Sequence, residues 1–181
     1  GPKAHIVYRS SDSTQLPFTC ATPPSPQPLA PQPQAGVDTL ICDIAIEADV
    51  QFWQANNSNA TTTQNDITGV MNNVDFIYDR DCGLQFNVTT ILVSTTSVYT
   101  TNNASSLLSQ FGANWSSVHS GITRDVAHLF TGRNLSGSTI GIAWLSGICS
   151  SGQGYGLSQS RFTSNMNRRV GLTAHEIGHN F

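Results

Sequence analysis

Three residues near the end of the sequence have the types and spacing for metal chemistry. His175, Glu176 and His179 form H-E-x-x-H within the run LTAHEIGHNF, Leu172–Phe181. On an α-helix, residues four apart share a face at roughly 6 Å of rise, so two imidazoles can grip one cation. Glu176, one step after the first histidine, cannot share that grip comfortably. Its carboxylate can instead reach a water on the metal and take its proton. Neutral imidazoles suit Zn²⁺, which polarises both water and a peptide carbonyl. His175 and His179 are therefore expected as metal ligands and Glu176 as general base. The bland alternative is a surface helix with two solvated histidines. The apolar flanks Leu172, Ala174, Ile177 and Phe181 weigh against it, because they bury the helix and buried histidines need partners. The remaining histidines promise less. His128, between Ala127 and Leu129, reads as a satisfied core histidine, His119 as a solvated residue near a helix end, and His5 carries no expectation.

A helix bearing this motif needs a scaffold, and the chain supplies one. Thr39–Ile46 is a β-branched run fit for a buried strand. Asp49–Ala55 and Thr62–Arg80 read as helix. In the second, Ile67, Val70, Met71, Val74, Ile77 and Tyr78 fall on one face. After the break at Cys82-Gly83, Leu84–Val93 reads as a strand. Ser105–His119 is an amphipathic helix with Leu107, Leu108, Phe111, Trp115 and Val118 on its apolar side. Val126–Phe130 and Thr139–Leu145 are short strands, and the closing helix starts near Thr163 and carries Ala174–Phe181. Strands alternating with helices mean an α/β fold, a mixed sheet with helices packed on it.

Composition bounds the rest. The 181 residues suffice for one domain with a core. Charged residues make up only 10% and the formal net charge is −3, so nothing argues for nucleic acid or an anionic membrane as partner. A surface of Asn, Ser and Thr suits a secreted protein, and no apolar run approaches the ~20 residues of a membrane span. Cys20, Cys42, Cys82 and Cys149 include no C-x-x-C pair, so a cysteine zinc site is disfavoured and disulfides are expected, with three pairings open. Residues 1–38 stand apart. Six prolines between Thr22 and Gln34 read as an extended linker, and Ala4–Arg9 and Leu16–Cys20 ahead of them could be the end of a propeptide or a strap across the domain. A propeptide cysteine could block the open position of a zinc site. Cys20 is the candidate, against a disulfide or a buried thiol.

From Thr39 to Phe181 the chain resembles the metzincin zinc endopeptidases of the reprolysin or adamalysin branch. Three blocks in the same order carry the likeness: LLSQFGANW at Leu107–Trp115, AHLFTGRNLSGSTIGIAWLSGIC at Ala127–Cys149, and AHEIGHNF at Ala174–Phe181. The resemblance implies a metzincin-like upper subdomain: a mixed, mostly parallel twisted sheet with an antiparallel edge strand, helices packed on it, and the lower subdomain missing. Residues 39–181 would be the amino-terminal part of the catalytic domain, and residues 1–38 a propeptide remnant or linker. The implied activity is zinc-dependent hydrolysis of peptide or protein substrates. Gly141, Ile142 and Ala143 would lie on the edge strand that pairs antiparallel with substrate, a sequence-tolerant way to hold a peptide. Asp43 and Asp125 fall where the branch places calcium carboxylates. The family's motif continues to a third histidine and a Met-turn, which here would follow Phe181, and Cys149 would pair with a cysteine beyond the zinc helix. Residues 1–181 alone are accordingly expected to bind zinc weakly and cleave little. Two rival readings are a protease-like domain that holds peptides without cutting them, and a structural zinc site closed by a fourth ligand.

Overall fold

The computed structural model describes residues 19–22, 40–148, 150 and 152–181. The expectations for Ala4–Arg9, Cys149 and the proline-rich stretch lie outside these, as does His5. Six strands form one sheet: β1 (Thr19–Cys20), β2 (Leu40–Ala48), β3 (Leu84–Val93), β4 (Val126–Phe130), β5 (Thr139–Ala143) and β6 (Tyr155–Ser158), in the order β1-β5-β6-β4-β2-β3. Every neighbouring pair is parallel except β5 with β6. The expected mixed, mostly parallel sheet with an antiparallel pair is what forms.

The period-2 alternation of the strands divides the core in two. On one face Cys42, Ile44, Ile46 and Ala48 of β2 join Val126 and Phe130 of β4. These pack on α1 (Val50–Ala55), α2 (Ala60–Cys82) and α4 (Met166–Gly178) through Phe52, Ile67, Val70, Met71, Val74, Val170 and Ile177. On the other face Ala45, Ala127, Leu129, Ile142, Tyr155 and Leu157 pack on α3 (Ala104–Ser117) through Leu107, Leu108, Phe111 and Trp115. The periodicity predicted these helices closely, because their apolar positions recur at 3-4 spacing and their starts are capped. Asn59, Asn103 and Asn165 each accept a backbone N–H from the first turn. Asn59 and Asn103 also belong to N-x-S/T triplets, so here the side chains serve the fold.

Two elements differ from the sequence expectation. The closing helix begins at Met166, with a short 3-10 turn at Ser160–Phe162 before it. Strand β6 has no counterpart in the sequence reading, because its segment GQGYGLS is too rich in glycine to look like a strand. Those glycines are there for backbone proximity. A Cβ at Gly154 would stand 2.6 Å from the Asp125 carbonyl oxygen, and one at Gly156 3.0 Å from the Ala143 side chain.

Candidate metal centre

Helix α4 lies on the sheet with its last turn under β5, and several ties set that position. Arg169, in its first turn, makes paired hydrogen bonds of 2.8 and 2.9 Å to Asp66 of α2 and donates Nε to Ser160 Oγ. Tyr78 of α2 donates its hydroxyl to the Ala174 carbonyl at 2.8 Å, reaching in over Gly178, where a side chain would obstruct it. Beyond the helix, Asn180 is buried and donates Nδ2 to the carbonyls of Trp144 and Tyr155. The carbonyls of His179 and Asn180 accept the N–H groups of Ser146 and Ile148. The segment after β5 is thereby clamped to the end of the motif helix. The sequence reading does not reach Asn180, at which only the letters GHN within the quoted family block hint, and it places Tyr78 on an apolar helix face without its tie to Ala174.

The helix brings the predicted residues together. His175 lies in its last turn, and His179 caps it with helical angles (φ −64°, ψ −25°), so the pair keeps its one-turn offset. The two Nε2 atoms stand 3.1 Å apart with the rings at 82°. From the other side of the cleft β1 delivers Cys20, whose Sγ is 3.3 Å from His179 Nε2 and 3.5 Å from Glu176 Oε2. The three donors lie within 4.8 Å of one another, the one such cluster among the described residues. Two nitrogens and a sulfur sharing one tetrahedral Zn²⁺ would stand about 3.3–3.6 Å apart. Spacings of 3.1 and 3.3 Å, and a donor set of two imidazoles and a thiol, fit that ion.

Glu176 packs against β5 at Gly141, with Oε2 beside the same Cys20 thiol that approaches His179. It is 0% exposed, and Oε1 has no hydrogen-bond partner. Only a glycine across from it makes room, since a Cβ at Gly141 would fall 2.4 to 2.7 Å from the Glu176 carboxyl and Cγ. Burial pushes the Glu176 carboxyl up to about 8, with the Cys20 thiol pulling slightly the other way. Burial likewise raises the Cys20 thiol and lowers His179, the latter helped by the adjacent His175. All three shifts favour the neutral form of a group that a cation would charge or bind.

Strand β1 is a strap over β5. Thr19 N–H donates to the Ser138 carbonyl and Ala21 N–H to the Gly141 carbonyl, and Thr22 Oγ1 exchanges hydrogen bonds with Ala143 O and N–H. The pairing is parallel, with Cys20 opposite Gly141. Strand β5 is therefore covered where an antiparallel substrate was expected.

Other expectations fare differently. His128 is buried and hydrogen-bonded at 2.9 Å to Ser158 Oγ, the satisfied core residue it was read to be. Asp43 and Asp125 do meet, but Asp125 accepts the Asp43 N–H and Asp43 accepts from Asn87 Nδ2, both at 2.8 Å. Protein donors hold those carboxylates, no third acidic, histidine or cysteine side chain joins them among the described residues, and calcium gains no support. The expected disulfides do not involve Cys20, Cys42 or Cys82, which are free thiols: Cys42 is turned into the core and Cys20 toward the histidines.

An α/β sheet carrying a helix whose final turn presents two convergent imidazoles and a buried carboxylate is the architecture of a metallopeptidase. The comparisons agree: the family profile of metallo-peptidase family M12 (Reprolysin_5) matches residues 38–181, and the chain belongs to that family. Among curated proteins it is similar to the snake venom metalloproteinase trimerelysin-2 of Protobothrops flavoviridis, 26% identical over 141 residues, covering 76% of this chain and 69% of that protein. Among solved structures, a chain in a chaperone–substrate complex superposes with TM-score 0.63 at 13% identity, over 80% of this chain, and this chain spans 24% of its length. That likeness concerns the fold alone.

Proposed function

We propose that this chain is the amino-terminal part of a zinc-dependent endopeptidase, held latent by its own strap. The observation that carries the reading is Glu176: a buried carboxyl group with one oxygen unpartnered and the other held only by a thiol, beside two imidazoles that converge on one point. Such an arrangement costs stability, and a protein that only held peptides would have no use for it.

His175 and His179 would hold the ion, which when bound would supply the Lewis acidity that polarises water and a substrate carbonyl. Residues after Phe181 would complete the ligand set, as the family resemblance implies. Glu176 accepts the proton of the attacking water and returns it to the leaving amine. Gly141, Ile142 and Ala143 offer the backbone groups that the strap now uses, so a substrate strand in its place would be held by main-chain hydrogen bonds. Cys20 Sγ, standing beside both His179 Nε2 and Glu176 Oε2, would keep water from the space between them. The strap runs parallel to β5, the reverse of an antiparallel substrate, so its own peptide bonds are presented backwards. Secretion, suggested by the venom relative, fits the composition. No helix among the described residues is long and apolar enough to cross a membrane.

The test is zinc content and peptide hydrolysis measured on the same preparations of the full-length protein. Glu176→Gln should retain zinc and lose turnover by at least ~10³-fold, whereas His175→Ala should lose both. Equal turnover by Glu176→Gln and the parent would remove the base assignment. Cys20→Ser should weaken the latch and raise turnover. If it instead abolishes zinc binding and changes nothing else, the two-histidine-plus-thiol site is structural. Residues 1–181 taken alone, with these three donors, should cleave little.

A further inference from the structure

The strap marks more than the site's blockage; it shows where side chains of a bound peptide go. Alternate residues of an extended chain point to opposite faces. Cys20 lines the hollow beside α4 with His175 and Glu176, and Thr19 joins it because the register shifts between the two. Ala21 instead lines a separate cavity of about 400 Å³ on the α3 side of β5, between Leu108, Ile142, Trp144 and Leu145. Its walls are mainly apolar, and Trp144 stays 40% exposed although its carbonyl is clamped by Asn180. Ala21 brings one methyl group to a space that would hold a leucine or phenylalanine side chain.

We propose that this cavity is an apolar side-chain subsite for peptides lying on β5, and that it selects a large aliphatic or aromatic residue in the place of Ala21. The inference rests on the latent-protease reading above. A substrate antiparallel to β5 enters from the Ala143–Leu145 end and leaves toward Thr139, so the subsite serves residues N-terminal to the scissile bond. The undersized Ala21 has a second consequence. The strap holds the cleft without using its strongest apolar contact, which keeps the latch releasable.

The strap itself provides a test that needs no catalysis. Cys20 alkylation by iodoacetamide reports how often the strap lifts, with the urea-unfolded chain as the reference for an open thiol. Ala21→Leu should slow alkylation about tenfold relative to the parent, the worth of one well-buried aliphatic extension, and Ala21→Asp should speed it. Adding Trp144→Ala should cancel most of the leucine's gain. If Ala21→Leu alkylates as fast as the parent, or its gain survives Trp144→Ala, the subsite is refuted while the strap stands. A parent Cys20 as reactive as in urea would refute the strap and, with it, this inference. The second arm uses the active protease and a peptide series in which leucine, alanine and aspartate are placed at each of three positions before the cut bond. A leucine preference at one of them that collapses in Trp144→Ala supports the subsite, and an unchanged preference overturns it. If no peptide is cut at all, the protease reading fails and the thiol measurement alone decides the cavity.

Discussion

Two glutamates are buried in this molecule, one on each face of the sheet, and they are treated in opposite ways. Glu47, on β2, is 1% exposed on the α3 side. It accepts hydrogen bonds from Trp115 Nε1 at 2.6 Å, Tyr99 OH at 2.8 Å and Ser94 Oγ at 2.9 Å. Glu176, on α4, is 0% exposed, faces a glycine, leaves one oxygen without a partner and offers the other only a thiol at 3.5 Å. A carboxyl group ringed by donors is fixed in place and ties separate parts of the chain together. One left bare is free to exchange a proton, at a cost in stability. The contrast separates structure from chemistry more sharply than the motif letters do, since H-E-x-x-H says nothing about which donors surround the acid.

The comparison can be broken by giving both positions the same substitution. Glu176→Gln should remove hydrolysis while leaving thermal stability unchanged or higher, because an amide is cheaper to bury than an unpaired carboxylate. Glu47→Gln should do the reverse. The new amide nitrogen would face indole and phenol donors, costing about 3 kcal/mol and lowering Tm by roughly 6–12 °C, with residual activity following the folded fraction. A Glu176→Gln protein that melts as early as the Glu47→Gln protein would show that the two carboxylates are alike after all.

A finer probe is the glycine that makes the bare carboxylate possible. Gly141→Ala puts a methyl group where the Glu176 carboxyl now lies, and neither the helix nor the strand can retreat easily, because β5 is paired on both sides. The expected result is a loss of about 1–3 kcal/mol in unfolding free energy and a fall in kcat of tenfold or more, larger than the change in KM. If kcat held while KM rose, Gly141 would be acting on substrate binding through β5 and not on the position of Glu176.

The helices, most strands and the motif itself could be read from the sequence, because apolar spacing at 3.6 and 2 residues is local information. What could not be read is tertiary. Strand β6 hides behind glycines that exist to let Asp125 and Ala143 approach. Asn180 looks like any surface amide until the carbonyls of Trp144 and Tyr155 are seen to need its donors. Cys20 was weighed as a blocking thiol from its place before the proline-rich stretch, but the parallel direction of its strand depends on a pairing with Gly141, 121 residues away from it in sequence. The absence of a partner for Glu176 Oε1 is likewise a property of the packed state alone.

A third buried ionisable group tests whether a neutral partner suffices. His128 lies on β4 with Ser158 Oγ as its hydrogen-bond partner, and burial pulls its imidazole down to about 3. The ordinary value in an unfolded chain is near 6.5, so between pH ~3 and ~6.5 the unfolded state binds the proton that the folded state refuses. Unfolding free energy from this residue therefore rises with pH across that window, and on acidification it is lost, by up to roughly 5 kcal/mol. Asp49, whose carboxyl burial raises, contributes with the opposite sign above pH ~4, but equally in parent and variant. The difference between the parent and His128→Gln, measured by urea unfolding from pH 4 to pH 7, isolates the histidine: the variant should gain relative stability at pH 4 and none at pH 7. A parent and variant that track each other over the whole range would mean that His128 accepts its proton within the fold. Being buried beside a hydroxyl would then not be enough to keep a group neutral, and the same doubt would pass to the carboxyl of Glu176.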